Sequence, residues 1–352
     1  MDAMDTFLKE LVEAHGAPGH EGEVSEIMAR YLKGVGEISR DRLGSFVCEK
    51  KGGPGPKVML AGHLDEVGFM VKSVTKEGFV KFLPLGGWWG HVVLGQRLII
   101  KTRKGDVVGV VGSKPPHELR DEDRKKVLEI REMYIDVGAT SDWDVKKKLD
   151  IRPGDPIIPD SKFTQMANPN LMLAKAWDNR IGCALAAVTA ASLKEVKHPN
   201  TVYAVATVQE EVGLRGAQTS AFKVQPDVGF ALDVGIAHDT PGTEGDEKLG
   251  GGPLIVIYDA SSIPNRRLLD LVIETAAKAK IALQFESVER GGTDAGRIHL
   301  TGQGVPCISI GVPARYIHSH VSIIDRRDFE STVELLVALV KRLDQKTVEE
   351  LV

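Results

Sequence analysis

Five short stretches of the chain carry histidine and carboxylate side chains that together could hold divalent cations and activate water. In GHLDE, His63 and Asp65 stand two apart, so in a straight strand both side chains leave the same face. That spacing suits a metal-ligating imidazole whose other ring N–H is taken by a carboxylate. It also suits a surface histidine beside an acid, because so short a motif carries little information. In AWDNRIG, Asp178 and Asn179 immediately precede an apolar run. Either is a natural helix N-cap, and a carboxylate at that place can also bridge two cations. QEEVG ends an apolar stretch with Glu210 and Glu211 side by side. Two carboxylates leaving a buried strand need compensation, and one metal ligand plus one proton acceptor for water would provide it. The alternative is a strand that stops at Val208 with both glutamates solvated. Asp233, in ALDVG, follows another apolar strand as a ligand or as a turn residue. His318 and His320 in YIHSH are ligands or loop histidines, and His238 and Asp239, close to Pro241 and Gly242, read as loop residues.

Singly, each motif has an ordinary reading. Together, one His, one Asp, one Glu, a second Asp and a second His supply nitrogen and oxygen ligands for two zinc-like ions, provided the fold brings them to one place.

The elements needed for that are visible. Val58 to Ala61, Thr201 to Val208, Val228 to Leu232 and Ile308 to Val312 are short, apolar, β-branched runs, each followed by one of the polar clusters. Helical patterns lie between them at Ile181 to Leu193, Arg266 to Lys280 and from about Asp328 onward, and Phe7, Leu8, Leu11 and Val12 mark an amphipathic first helix. Alternating strands and helices predict an α/β fold with a mainly parallel mixed sheet sandwiched by helices, and such folds place ligands beyond the carboxyl ends of their strands. Residues 67–166 differ, with alternating runs such as VGFMVKSV and DVVGVV between glycine-rich turns. They predict an inserted small β-barrel, dividing the chain into a discontinuous domain (1–66 and 167–352) and an insertion (67–166). Within the insertion, His117 to Leu128 reads as an exposed loop with about one helical turn.

The net charge of -4, from 45 basic and 49 acidic residues, argues against nucleic acid or anionic membrane as a partner. No apolar run approaches the ~20 residues of a membrane span. Cys48, Cys183 and Cys307 are scattered, so structural disulfides are not expected, and a cytoplasmic location is.

The motifs AGHLDEVGFMV (61–71), KAWDNRIG (175–182), VQEEVGLRGA (208–217), ALDVG (231–235), GGTDAG (291–296) and RYIHS (315–319), in this order over nearly the whole chain, resemble those of the TET or deblocking aminopeptidases, metallopeptidase family forty-two. The resemblance implies a zinc-exopeptidase fold and an exopeptidase acting on peptides with a free N-terminus. It implies that Asp178 bridges two metal ions, zinc or cobalt, with His63 and Asp233 completing one site and Glu211 and His318 the other. By the same resemblance Glu210 is the general base, Asp65 orients His63, His320 is peripheral, and the barrel serves dimerisation within a tetrahedral dodecamer. Asp294 is drawn towards the site in such a fold, or caps the helix from Ala295. The glycine-rich 242–253 segment borders the pocket for the first substrate residue, or is plain turn.

Two other enzyme classes share part of this pattern. A deacylase of N-acyl amino acids could use the same metal chemistry. An endoglucanase-type glycosidase is disfavoured, because adjacent Glu210 and Glu211 are not an acid pair across a sugar and only four tryptophans are present.

Overall fold

The computed structural model describes residues 2–352. Strands β1 (Glu37–Arg40), β2 (Phe46–Lys51) and β3 (Lys57–His63) come first, followed by β4 (Gly68–Val74), β5 (Val80–Leu85), β6 (Arg97–Thr102), β7 (Gly105–Gly112), β8 (Tyr134–Asp136) and β9 (Pro156–Pro159). After them come β10 (Thr164–Gln165), β11 (Leu171–Ala174), β12 (Thr201–Thr207), β13 (Val228–Ile236), β14 (Leu254–Asp259), β15 (Gln284–Val288), β16 (Cys307–Arg315) and β17 (Ser322–Asp325). Eleven of these strands make one mixed sheet. Its centre, β12-β3-β13-β16, is parallel throughout. These four strands are buried along most of their length, as continuous aliphatic runs without polar alternation require. Antiparallel strands extend both margins, β2 beside β12 and β14 and β17 beside β16.

The helices are α1 (Ala3–Glu13), α2 (Gly22–Tyr31), α3 (Asp121–Arg124), α4 (Trp177–Ser192), α5 (Arg215–Val224), α6 (Arg266–Ala279), α7 (Ala295–Ile298), α8 (Arg326–Arg342) and α9 (Gln345–Glu349). The closing helix expected from about Asp328 is therefore two, because Asp344 caps a new start by accepting from the Thr347 N–H. Helix α4 is pressed onto the middle of the sheet. A Cβ on Gly62 would stand 2.3 Å from the Gly182 carbonyl carbon, and one on Gly182 would stand 2.1 Å from the Leu232 oxygen. Two glycines thus let the start of α4 lie directly on β3 and β13 at their carboxyl ends. Leu8, Leu60, Trp177, Leu232 and Leu336 share the resulting core.

The remaining six strands close into an antiparallel barrel, β4-β5-β8-β7-β6-β9, around a separate core that includes Phe69, Phe82, Ile100 and Ile135. Its strands lie between Gly68 and Pro159, and β10 already pairs with β11 in the large sheet, so the chain returns to that sheet before residue 166. Residues 117–128 are mostly exposed and contain α3 as their one α-helical turn. Among the described residues, no helix is long and apolar enough to cross a membrane.

Candidate active site

Parallel register brings the polar clusters together. His63 closes β3 opposite Thr207 at the end of β12, and Asp233 lies two residues beyond Ala231, the partner of Ala61. Asp178 sits between two imidazoles. Its Oδ1 is 3.2 Å from His63 Nε2 and its Oδ2 is 3.1 Å from His318 Nε2. Glu210 Oε2 and Asp233 Oδ1 lie 3.6 and 4.0 Å from His63 Nε2, and Glu211 Oε2 lies 3.7 Å from His318 Nε2. Two overlapping sets of possible ligand atoms result, His63–Glu210–Asp233 and His63–Asp178–Glu211, each within 4.8 Å. His318, at φ +54°, is held by a hydrogen bond between its Nδ1 and the Gly87 carbonyl, so a residue two beyond the end of β5 orients a ligand candidate. His320 faces elsewhere, with its Nε2 on the Arg97 carbonyl of the barrel.

The charge balance tests whether cations fit. Asp65, Asp178, Glu210, Glu211, Asp233 and Asp294 are buried or nearly so, and no Lys or Arg nitrogen among the described residues is within ion-pair distance of any of them. Burial, then the neighbouring Asp178 charge, pushes Glu211 up to about 8; burial does the same to Asp233. Burial resists protonation of His318, but Asp178 and Glu211 overcome it and raise that imidazole to about 10. Among the described side chains only the two imidazoles offset these acids, and a divalent cation would neutralise them further. Glu211 Oε1 is buried without any partner. An oxygen- and nitrogen-rich donor set with excess negative charge and an orphaned carboxylate oxygen fits metal binding.

Several local expectations change. Strand β12 stops at Thr207, yet Glu210 and Glu211 are not solvated; the chain turns inward through Gln209 at φ +56° and buries both. Asp65 meets His63 Nδ1 twice, with its main-chain carbonyl at 3.0 Å and, more loosely, with its carboxylate Oδ1 at 3.6 Å. The same carboxylate's oxygens accept the N–H groups of Glu210 and Glu211, both at 3.0 Å. Asp233 lies within β13 and not after it. Asp178 does not cap α4: it has extended ψ, and Asn179 Oδ1 accepts from the Gly182 N–H instead, leaving the Asp178 carboxylate free for the two histidines. Asp294 makes no cap bond to α7 either; its Oδ2 accepts from Thr207 Oγ1 at 2.6 Å.

The cluster lines a cavity of about 510 Å³ together with Leu214, Ile236, Val256, Val288 and Arg290. Residues from β14, β15 and the Arg290–Thr293 segment line it, and the 242–253 segment does not. That segment instead wraps the buried Asp328, which accepts from the Gly250 and Gly252 N–H groups. None of the four tryptophans lines the cavity. Nothing in the sequence around β14 and β15 marked them as cavity walls, because their apolar residues look like those of any strand.

Comparison with known proteins points to one family. The family model described as M42 glutamyl aminopeptidase matches residues 44–335, and one described as AMPT matches residues 2–28. The chain is 38% identical to the glutamyl aminopeptidase of Lactococcus lactis, covering 98% of each, and 34% identical to the lysyl aminopeptidase of Pyrococcus furiosus, covering 96% of each. It superposes on the TET aminopeptidase of a marine-sediment Thaumarchaeota archaeon with a TM-score of 0.98 at 46% identity over all of both chains. A further neighbour, the Pyrococcus horikoshii TET1 peptidase, has a TM-score of 0.87 at 30% identity, with 97% of this chain and 100% of that one covered. That peptidase is described as assembling into a tetrahedron or a large octahedral shell.

Proposed function

Because the chain belongs to the M42 aminopeptidase family, and is on that ground a metal-dependent aminopeptidase, we propose that it releases residues from the free N-terminus of peptides with two divalent cations held by His63, Asp178, Glu211, Asp233 and His318. The observation that carries this reading is Asp178, whose two oxygens are each set about equally close to one imidazole. His63, Asp178 and Asp233 would hold one cation, and Asp178, Glu211 and His318 the other. Zinc suits this donor set, and cobalt fits the same nitrogen and oxygen ligands. Such ions lower the pKa of water and polarise a carbonyl.

Glu210 is the proton carrier in this reading. Its carboxylate lines the cavity, is tied to no basic side chain other than His63, and has its main chain fixed by Asp65. It takes a proton from the attacking water and returns it to the departing amine, a contribution of roughly 10²–10⁴-fold. The barrel acts as a dimerisation unit, and the dimers build a tetrahedral dodecamer; support comes from the TET-type neighbours. A cytoplasmic location is supported by three buried, unpaired cysteines.

The test is hydrolysis of aminoacyl-anilides and short peptides, with free and with acetylated N-termini, by metal-stripped protein before and after zinc or cobalt is restored. Metal-dependent release of the first residue from free N-termini alone is the expected result. Turnover confined to acetylated substrates would replace the aminopeptidase reading with a deacylase.

A further inference from the structure

The turn that carries Glu210 is held by more than Asp65. Glu21 comes from the loop between α1 and α2, far away in sequence, and is 6% exposed. Its Oε1 accepts the Gly19 N–H at 2.7 Å and the Gln209 N–H at 3.1 Å. The N–H groups of Gln209, Glu210 and Glu211 are therefore taken in succession by two buried carboxylates, Glu21 and then both oxygens of Asp65. Gln209 stands at φ +56°, where a non-glycine residue needs outside support. Its N–H donates to Glu21, and its backbone conformation decides where the Glu210 side chain leaves the turn.

This arrangement costs the fold something. Glu21 has no basic partner within ion-pair distance among the described residues, and burial, reinforced by the facing Asp65 charge, pushes it up to about 7. A neutral side chain in that hole would avoid the penalty. A carboxyl or carboxamide oxygen at position 21 accepts the Gln209 N–H and holds a backbone that would otherwise relax, and displacement of a catalytic group by about 1 Å can reduce turnover on the order of 10²-fold.

We infer that Glu21 is a positioning residue for the reaction: through the Gln209 N–H it sets the turn that aims Glu210 into the cavity, so the N-terminal segment completes the catalytic apparatus without touching substrate. The proposal rests on the reading of Glu210 as the proton carrier. It requires an oxygen acceptor at position 21 and not a charge.

The experiment compares Glu21→Ala, Glu21→Gln and Glu210→Gln in the metal-loaded, full-length protein, measuring kcat and KM on one aminoacyl-anilide at a temperature well below each variant's Tm, with metal content determined alongside. Glu21→Ala is expected to lower kcat by roughly 10–100-fold with KM and metal content near wild type, and Glu21→Gln, which keeps the acceptor oxygen, to recover most of the loss. A folded Glu21→Ala enzyme with wild-type kcat overturns the proposal, as does a loss that Glu21→Gln fails to rescue or that follows metal content. Glu210→Gln separates the two levels. If that variant keeps near wild-type turnover, the proton-carrier reading itself falls; if it is inactive while Glu21→Ala is normal, only the positioning role falls.

Discussion

Two buried charged clusters meet at the end of β3, and they are built on opposite rules. On one side, Glu66 accepts from Lys175 Nζ at 2.7 and 2.8 Å and from Arg180 Nη2 at 3.0 Å, and the two bases also donate to the Leu11 and Ala14 carbonyls. Its charges find their partners inside the chain. Three residues earlier, His63 enters a cluster of acids answered only by two imidazoles. The carboxylates of both clusters are largely buried, so both need compensation for lost hydration. The first has it and is structural. The second lacks it, and the imbalance points to something the polypeptide does not supply.

Four measurements would break or sharpen this contrast. Glu210→Gln should have the largest effect, lowering kcat by roughly 10²–10⁴-fold while leaving metal content unchanged; near wild-type turnover would remove Glu210 from the chemistry. Next, Glu66→Ala strands Lys175 and Arg180 without their acid and should destabilise the fold by about 3–5 kcal/mol in urea unfolding, with kcat of the folded fraction near wild type. A variant as stable as wild type would mean the balanced cluster is not needed. Third, thermal unfolding of metal-stripped protein should respond to added zinc, with free metal at about 100 times its Kd adding about 2.7 kcal/mol; an unresponsive Tm would contradict cation binding at the acid-rich cluster.

The smallest effect is expected at Asp294. Burial raises this carboxyl to about 6, so the folded state holds its proton more tightly than the unfolded chain. Its contribution to stability is therefore complete below the ordinary value of 3.8 and is lost as pH rises through about 6. Asp294→Asn keeps an acceptor for Thr207 and removes the charge. In metal-free protein at pH 8 it should raise stability and flatten that part of the pH profile. A lower Tm at pH 8 would show that the buried charge is stabilising.

Much of this could be read from residue order alone. Apolar β-branched runs that end in acids or histidines identified the parallel centre of the sheet and the place where His63, Glu211 and Asp233 meet, because in a parallel sheet consecutive strands deliver their C-termini to one edge. The alternating pattern of 67–166 likewise led to the barrel. The supports of the site were less legible. Asp178 and Asn179 are equally good caps by type, and only the fold shows that Asn179 takes that task. Glu21 and the Asp65 carboxylate act on main-chain N–H groups, which every residue but proline has, so no side-chain pattern at positions 209–211 advertises them. The cavity wall from β15 is set by long-range pairing with β14, a register no local signal encodes.

The turn at 207–211 is tied to residues 188 positions away at Glu21, 145 and 146 positions away through Asp65, and 87 positions away at Asp294. Closing such long loops is entropically costly and comes after local structure has formed. During synthesis, a ribosome-bound chain that has just extruded its glutamates still lacks Asp294 and His318. With His318 as a proposed ligand, the site is complete only when nearly all of the described residues have emerged and folded.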